Sequence, residues 1–170
     1  MKRCNDSDSF QVSVGGLEYI FRLYFVDAPE TSMEFSDRLQ EQASYFGVTI
    51  DQVMQVRELA KRFTREKLSE LFIVRTCWEE AMGRSRFQRF YAFLQTCTGD
   101  LGEQLLENGL ARTHLASGLP QGLNATTVHS QKLLALENKA KQEKIVWGVH
   151  AGRDWPPLSS FPTKSRVTAA

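Results

Sequence analysis

The chain has 170 residues, 42% of them hydrophobic, enough to bury one core and to set the expectation of a single folded domain. Its 21 basic and 20 acidic side chains leave a net charge of +1, which excludes a protein that holds nucleic acid by bulk charge; such affinity would need a local basic patch or a metal-assisted site. Cys4, Cys77 and Cys97 are odd in number and, with His114, His129 and His150, make no zinc-ligand spacing, so free thiols are expected, and no stretch approaches the ~20 apolar residues of a membrane span.

In chain order, Phe10-Gln-Val-Ser-Val14 alternates apolar and polar residues and Gly15-Gly16 supply a two-residue turn. The run from Leu17 to Val26 then reads as the return strand of a β-hairpin. Thr31 to Gly47 is polar, with Leu39, Ala43 and Phe46 on one helical face and Gly47 as a stop. Thr49-Ile-Asp-Gln52 forms a capping box for a helix that turns Val53, Val56, Ala60 and Phe63 inward. Two strands follow, Leu71 to Trp78 and Phe87 to Gln95, joined by a charged loop from Glu79 to Arg86. After a turn at Thr98-Gly-Asp100 come a helix from Leu101 to Asn108, stopped by Gly109, and a strand from Leu110 to Leu115. A loop over 117–124 leads to a last helix from Thr127 to Lys144. Gly148, Gly152, Pro156, Pro157 and Pro162 mark an extended strap, so the expected organisation is a domain over 1–150 and a tail over 151–170. Short mixed strands with helices clustered between them fit a mainly-β small barrel with about three helices better than a βαβ sheet.

Two acidic stretches flank the hairpin: Asn5-Asp-Ser-Asp-Ser-Phe10 before it, and Phe21-Arg-Leu-Tyr-Phe-Val-Asp-Ala-Pro-Glu30 at its end. Carboxylates at strand ends suit a hard cation, because Mg²⁺ and Ca²⁺ take oxygen ligands. Arg22 adds a planar donor fork for phosphate oxygens. Cation, phosphate clamp and spare carboxylate together describe phosphodiester chemistry. The structural alternative makes Asp6-Ser-Asp-Ser an Asx turn and Asp27 a turn residue that ends the strand. In a flat strand Arg22 and Asp27 face opposite sides, so their convergence requires a bend or bulge near Ala28-Pro29, or the long reach of the arginine side chain.

These residues resemble the staphylococcal nuclease (thermonuclease) family. Asp8 and Arg22 stand fourteen residues apart, the interval between that family's first metal carboxylate and first catalytic arginine. Arg22, Asp27 and Glu30 follow its R-L-x-x-x-D-x-P-E signature without a gap. Arg89-Phe-Tyr-Ala-Phe-Leu94 looks like the strand that begins with the second catalytic arginine, and Leu105-Leu-Glu-Asn-Gly-Leu-Ala-Arg112 like the family's L-V-x-x-G-L-A segment. Leu136-Glu-Asn-Lys-Ala-Lys-Gln-Glu-Lys-Ile-Val-Trp147 looks like its last helix and closing tryptophan.

The resemblance runs from about residue 5 to Gly148. It implies a five-stranded OB-type barrel with three helices and a Ca²⁺-dependent nuclease, acting on DNA and RNA with little sequence preference, expected to be monomeric and independent of membranes. It implies one Ca²⁺, or another divalent cation, on Asp8, Asp27 and the backbone carbonyl of Ala28, which replaces the family's threonine. Glu30 would orient or deprotonate the attacking water, and Arg22 and Arg89 would bracket the phosphate. Asp6 would support the acidic turn, where Ser7 replaces a glycine. Gly83-Arg84 also echoes the family's Y-G-R, so Arg84 stays the alternative to Arg89; otherwise Arg84 and Arg86 are loop cations near the substrate. Phe87 stands at a tyrosine position and keeps a stacking face, while Leu115 and Ser117 replace two further tyrosines and His114 stands beside them as a substitute contact. The family's first strand would precede Asp6, so an upstream leader or a longer first strand is expected, and with it a secreted or periplasmic location. Two other functions stay open. One is a catalytically silent OB-type module binding nucleic acid or protein, as in Tudor-nuclease proteins; the other is an interaction domain using the 31–51 insertion, which is longer than the family needs and shows no chemistry in its sequence.

Overall fold

A computed structural model of the chain describes residues 7–29, 36–81, 87–114 and 126–143. The first hairpin forms as its residues dictate: β1 (Ser9–Val14) and β2 (Leu17–Leu23) pair antiparallel, from Ser9 opposite Arg22 to Val14 opposite Leu17. Gly15 and Gly16, at φ +59 and +83, take the left-handed conformations that a two-residue hairpin turn demands. Their strands bring Phe10 against Phe21, both buried.

The return strand does not run on to Val26. It stops at Leu23, and Tyr24-Phe25 form a turn in which Phe25 sits at φ +59, a left-handed conformation uncommon for a bulky residue. β3 (Val26–Asp27) leaves in a new direction and pairs with β7 (Arg112–Thr113), the short remnant of the strand expected over 110–115. The Phe25 ring is buried against Tyr24, Phe93 and His129, and its carbonyl accepts the His114 N–H at 2.8 Å. Those contacts hold the strained turn in place.

β4 (Phe72–Arg75), β5 (Phe90–Thr96) and β6 (Gly99–Asp100) complete a sheet ordered β1-β2-β5-β4, with β6 also on β5. The β2–β5 pair is parallel, with Arg22 opposite Tyr91, and the other pairs are antiparallel. This mixed sheet curls into a half-barrel of the OB type. α1 (Ser36–Phe46), α2 (Ile50–Lys67), α3 (Leu101–Glu107) and α4 (Thr126–Gln142) pack around it, and α1, the helix of the polar 31–47 stretch, brings the number described to four. α2 opens on the expected Thr49–Gln52 capping box, and Asp100 caps α3 through the Glu103 N–H at 3.0 Å. Phe10, Leu94 and Ala92 from the sheet meet Val53, Ala60, Leu101 and Leu105 from the helices in one core. Among the described residues no helix is long and apolar enough to cross a membrane. Cys77 and Cys97 are free thiols, whereas Cys4, Asp6, the 117–124 loop, Trp147 and the tail over 151–170 lie outside the described residues.

Candidate functional site

Asp8 stands just ahead of β1 and is fixed from both sides. Its backbone carbonyl accepts the Leu23 N–H at 2.8 Å, and Thr64 of α2 donates to the neighbouring Ser7 carbonyl, also at 2.8 Å. Its carboxylate accepts the Ser9 hydroxyl at 3.0 Å and, through Oδ2, the N–H of Ala28 at 3.2 Å. That last bond spans twenty residues, so Asp8 ties the hairpin's start to its far end, which a local Asx turn would not do. Arg22 Nη2 lies 3.3 Å from Asp8 Oδ2 and 3.3 Å from Asp27 Oδ1. The bend that lets Arg22 and Asp27 meet is the Phe25 turn, three to four residues earlier than the Ala28-Pro29 position expected for it.

Asp27, 1% exposed, is the centre of the cluster. Oδ1 also accepts Arg38 Nη2 at 2.8 Å; Oδ2 accepts Arg112 Nε at 2.9 Å and Gln42 Nε2 at 3.3 Å. The same Gln42 amide donates to the Ala28 carbonyl at 3.2 Å. Arg112 turns its other face to Glu41, with a two-pronged pair at 2.7 and 3.1 Å. Three guanidiniums thus face three carboxylates. Burial opposes ionisation of Asp27, but Arg38, Arg112 and Arg22 outweigh it and hold the carboxyl below the usual aspartate range. Asp8 raises Arg22 further above its ordinary value, against burial, with Asp27 adding to the effect. The Arg112 hydrogen bond likewise holds Glu41 low.

A second layer locks this cluster in place. Glu137 of α4 is buried and accepts the Tyr45 hydroxyl at 2.9 Å, the Thr113 N–H at 2.7 Å and Lys141 at 2.8 Å. Lys141 and Arg112 lie over the Tyr45 ring, 4.2 and 5.2 Å from its centroid. One carboxylate therefore clamps α1, β7 and α4 together, and with them the helix that carries Arg38, Glu41 and Gln42.

Of the other residues singled out in the sequence, Arg89 is buried at the entrance to β5, two positions before Tyr91, the β2 partner of Arg22. Its carbonyl accepts the Ala81 N–H at 2.7 Å. Phe87 is 44% exposed. His114 is half-buried, and its backbone serves the Phe25 turn. Glu30, Arg84 and Arg86 lie outside the described residues. The residues that sequence reasoning missed are Arg38, Glu41, Gln42 and Arg112. The 31–51 insertion, silent in sequence, supplies three of them. One signal was available: Gln42 falls between Leu39 and Ala43, on the buried face of α1, where a polar side chain needs a partner.

The oxygens assigned to a cation by resemblance do come together. A single nitrogen, Arg22 Nη2, touches both Asp8 and Asp27, and another, Gln42 Nε2, touches both Asp27 and the Ala28 carbonyl. In ligand type these are the hard oxygens that Ca²⁺ and Mg²⁺ take, and in this structure they are engaged by donors of the chain itself. Among the described residues no group of three His, Cys, Asp or Glu side chains is arranged to hold a metal ion.

Compared with known families, residues 20–147 match the family model described as staphylococcal nuclease homologue. Asp8 precedes that span and joins the site by geometry alone. No curated protein matches the chain.

Proposed function

The chain belongs to the family of staphylococcal nuclease homologues, and we propose that it is a nuclease that hydrolyses phosphodiester bonds of DNA and RNA with low sequence specificity, using one Ca²⁺. The observation that carries the reading is the meeting of Asp8, Arg22 and Asp27 from three separate segments within 3.3 Å contacts. In this reading Asp8, Asp27 and the Ala28 carbonyl hold the ion. The bound ion supplies positive charge beside the scissile phosphate. Arg22, charged at every working pH, and Arg89, on the adjoining strand, flank the phosphate and oppose the charge that grows on its oxygens in the transition state. Glu30 orients the attacking water, and Phe87 and His114 offer contacts to base and sugar, with Arg84 and Arg86 as approaching loop cations. A zymogram on DNA, run with Ca²⁺ and then with chelator, tests the assignment: a cleared band that chelator removes supports it, and no clearing in either condition counts against it.

One observation favours a second reading, the silent OB-type binding module. Asp27 is already saturated by its own chain's donors, as a purely structural ion-pair network would be. Gel-shift retention of single-stranded DNA by a protein that never cuts it is the result that this second reading predicts.

A further inference from the structure

Among the described residues, two that are not glycine hold a left-handed backbone: Phe25 at φ +59 and Trp78 at φ +60. They adjoin the two ends of one hydrogen bond. Tyr24, just before Phe25, donates its hydroxyl to Oε2 of Glu79, just after Trp78, at 3.1 Å and across 55 residues of chain. Bulky residues rarely take this conformation, and such strain persists only where the surroundings fix it. At Trp78 the fixing group is Thr76. Its hydroxyl accepts the Trp78 N–H at 2.9 Å and donates to the Tyr91 carbonyl at 2.7 Å.

The Tyr24–Glu79 bond closes a clasp over β5. The Tyr24 ring is 4% exposed and stacks on Tyr91, with centroids 4.9 Å and planes 19° apart, and the Tyr24 N–H donates to the Ala92 carbonyl at 3.1 Å. On the other edge of the strand, the Glu79 carbonyl accepts the Tyr91 N–H at 2.8 Å, Glu80 bridges Phe90, and Ala81 donates to the Arg89 carbonyl. Residues 79–81 are therefore the antiparallel partner of 89–91, while β2 is the parallel partner, with Arg22 opposite Tyr91. Tyr24 stands two residues after Arg22, and Glu79 belongs to the segment that holds Arg89. One side-chain bond thus joins the segments of both arginines. Burial, and then the bond to Glu79, keep the Tyr24 hydroxyl protonated well above the usual tyrosine range, so the donor is always present.

We propose that Tyr24 and Glu79 are positioning residues for Arg89: their bond fixes the spacing of the two arginines that flank the phosphate. The inference rests on the nuclease reading proposed above, with Arg89 as the second arginine. Tyr24 is buried, so it acts through Arg89 and not by touching substrate. A misplacement of about 1 Å costs turnover about a hundredfold, and a looser hold on one edge of the strand costs about tenfold.

The test is steady-state cleavage of a single-stranded DNA oligonucleotide in Ca²⁺ by the wild type, Tyr24→Phe, Arg89→Ala and the double variant, with thermal unfolding of each. Tyr24→Phe keeps the stacked ring and removes only the donor. The expected result is a kcat about tenfold lower with KM within about twofold, and no further loss when Tyr24→Phe is added to Arg89→Ala, because nothing is left to position. Glu79→Ala should match Tyr24→Phe, and Glu79→Gln, whose amide oxygen still accepts, should recover most of the loss. That pair carries the test if Tyr24→Phe does not fold. Wild-type kcat in Tyr24→Phe overturns the inference. So does a loss repeated in full in the Arg89→Ala background, which a general loosening of the fold would give. Both outcomes leave the nuclease site standing. A wild-type chain that cuts nothing overturns the nuclease reading and this inference together.

Discussion

Asp27 shows how one buried carboxylate organises a site. Its charge is compensated by Arg22, Arg38 and Arg112, and removing it leaves three guanidiniums facing one another in a largely buried space. Asp27→Asn should therefore cost about 3–5 kcal/mol of stability, the range for breaking a buried pair, read from urea unfolding at neutral pH. The acid limb gives a second readout. Because the folded-state value of Asp27 is lowered, its contribution is complete above the ordinary aspartate value near ~3.9 and is lost as the pH falls through the lower folded value. Asp27→Asn should flatten the acid decline of stability over that window; an unchanged slope means that the carboxylate is not the group responsible. Arg22→Lys should not rescue Arg22→Ala. A guanidinium touches Asp8 and Asp27 together and still offers a fork to phosphate, whereas an ammonium is one compact charge. Turnover should fall by about a hundred- to a thousandfold in both variants, and near wild-type turnover in Arg22→Lys would make Arg22 structural. That Asp8, Arg22 and Asp27 meet was legible through the family resemblance, whereas the parity of a flat strand alone set Arg22 and Asp27 on opposite sides. Arg38, Gln42 and Arg112 were not legible, because they meet Asp27 only after α1 and β7 dock.

Among the elements, the hairpin, the capping box of α2 and the helices were readable from turn glycines, cap residues and apolar period. The break between β2 and β3 was not, because Phe25 at φ +59 is an exception to what a β-favouring aromatic run predicts. That exception reverses the parity of Asp27 relative to Arg22 and makes the site. Phe25→Gly weighs two effects. It relieves backbone strain of about 1–3 kcal/mol but removes a buried aromatic ring at about 3–5 kcal/mol, so the variant should be destabilised by about 2 kcal/mol. A variant as stable as the wild type would mean that the strain relieved equals the packing lost. The arginine proposed as the second of the clamp, Arg89, stands just ahead of β5. Arg89→Ala should cut turnover about a hundredfold or more, while Arg84→Ala should weaken substrate binding in a way that fades at high salt. The reverse pattern in the kinetics of the two variants would move the assignment to Arg84.

For the whole molecule, composition pointed to one core and element order to a small barrel; the family match and the curled sheet bear out the barrel. Which strands pair across long separations was not readable: β2 lies parallel to β5, nearly seventy residues on, through partners whose side chains would suit many other neighbours. A near-neutral chain that acts on nucleic acid must do so through a local site, and here basic groups are concentrated on a buried aspartate. The most direct test of that account is to incubate the purified chain with an end-labelled single-stranded DNA oligonucleotide in Ca²⁺ and analyse the fragment termini. The family resemblance implies in-line attack of water on phosphorus with the 5′-oxygen leaving, so cleavage at many positions, leaving 3′-phosphates and ceasing in excess chelator, is the predicted result; an oligonucleotide bound but intact, fragments with 5′-phosphates, or cutting undiminished by chelator would contradict it.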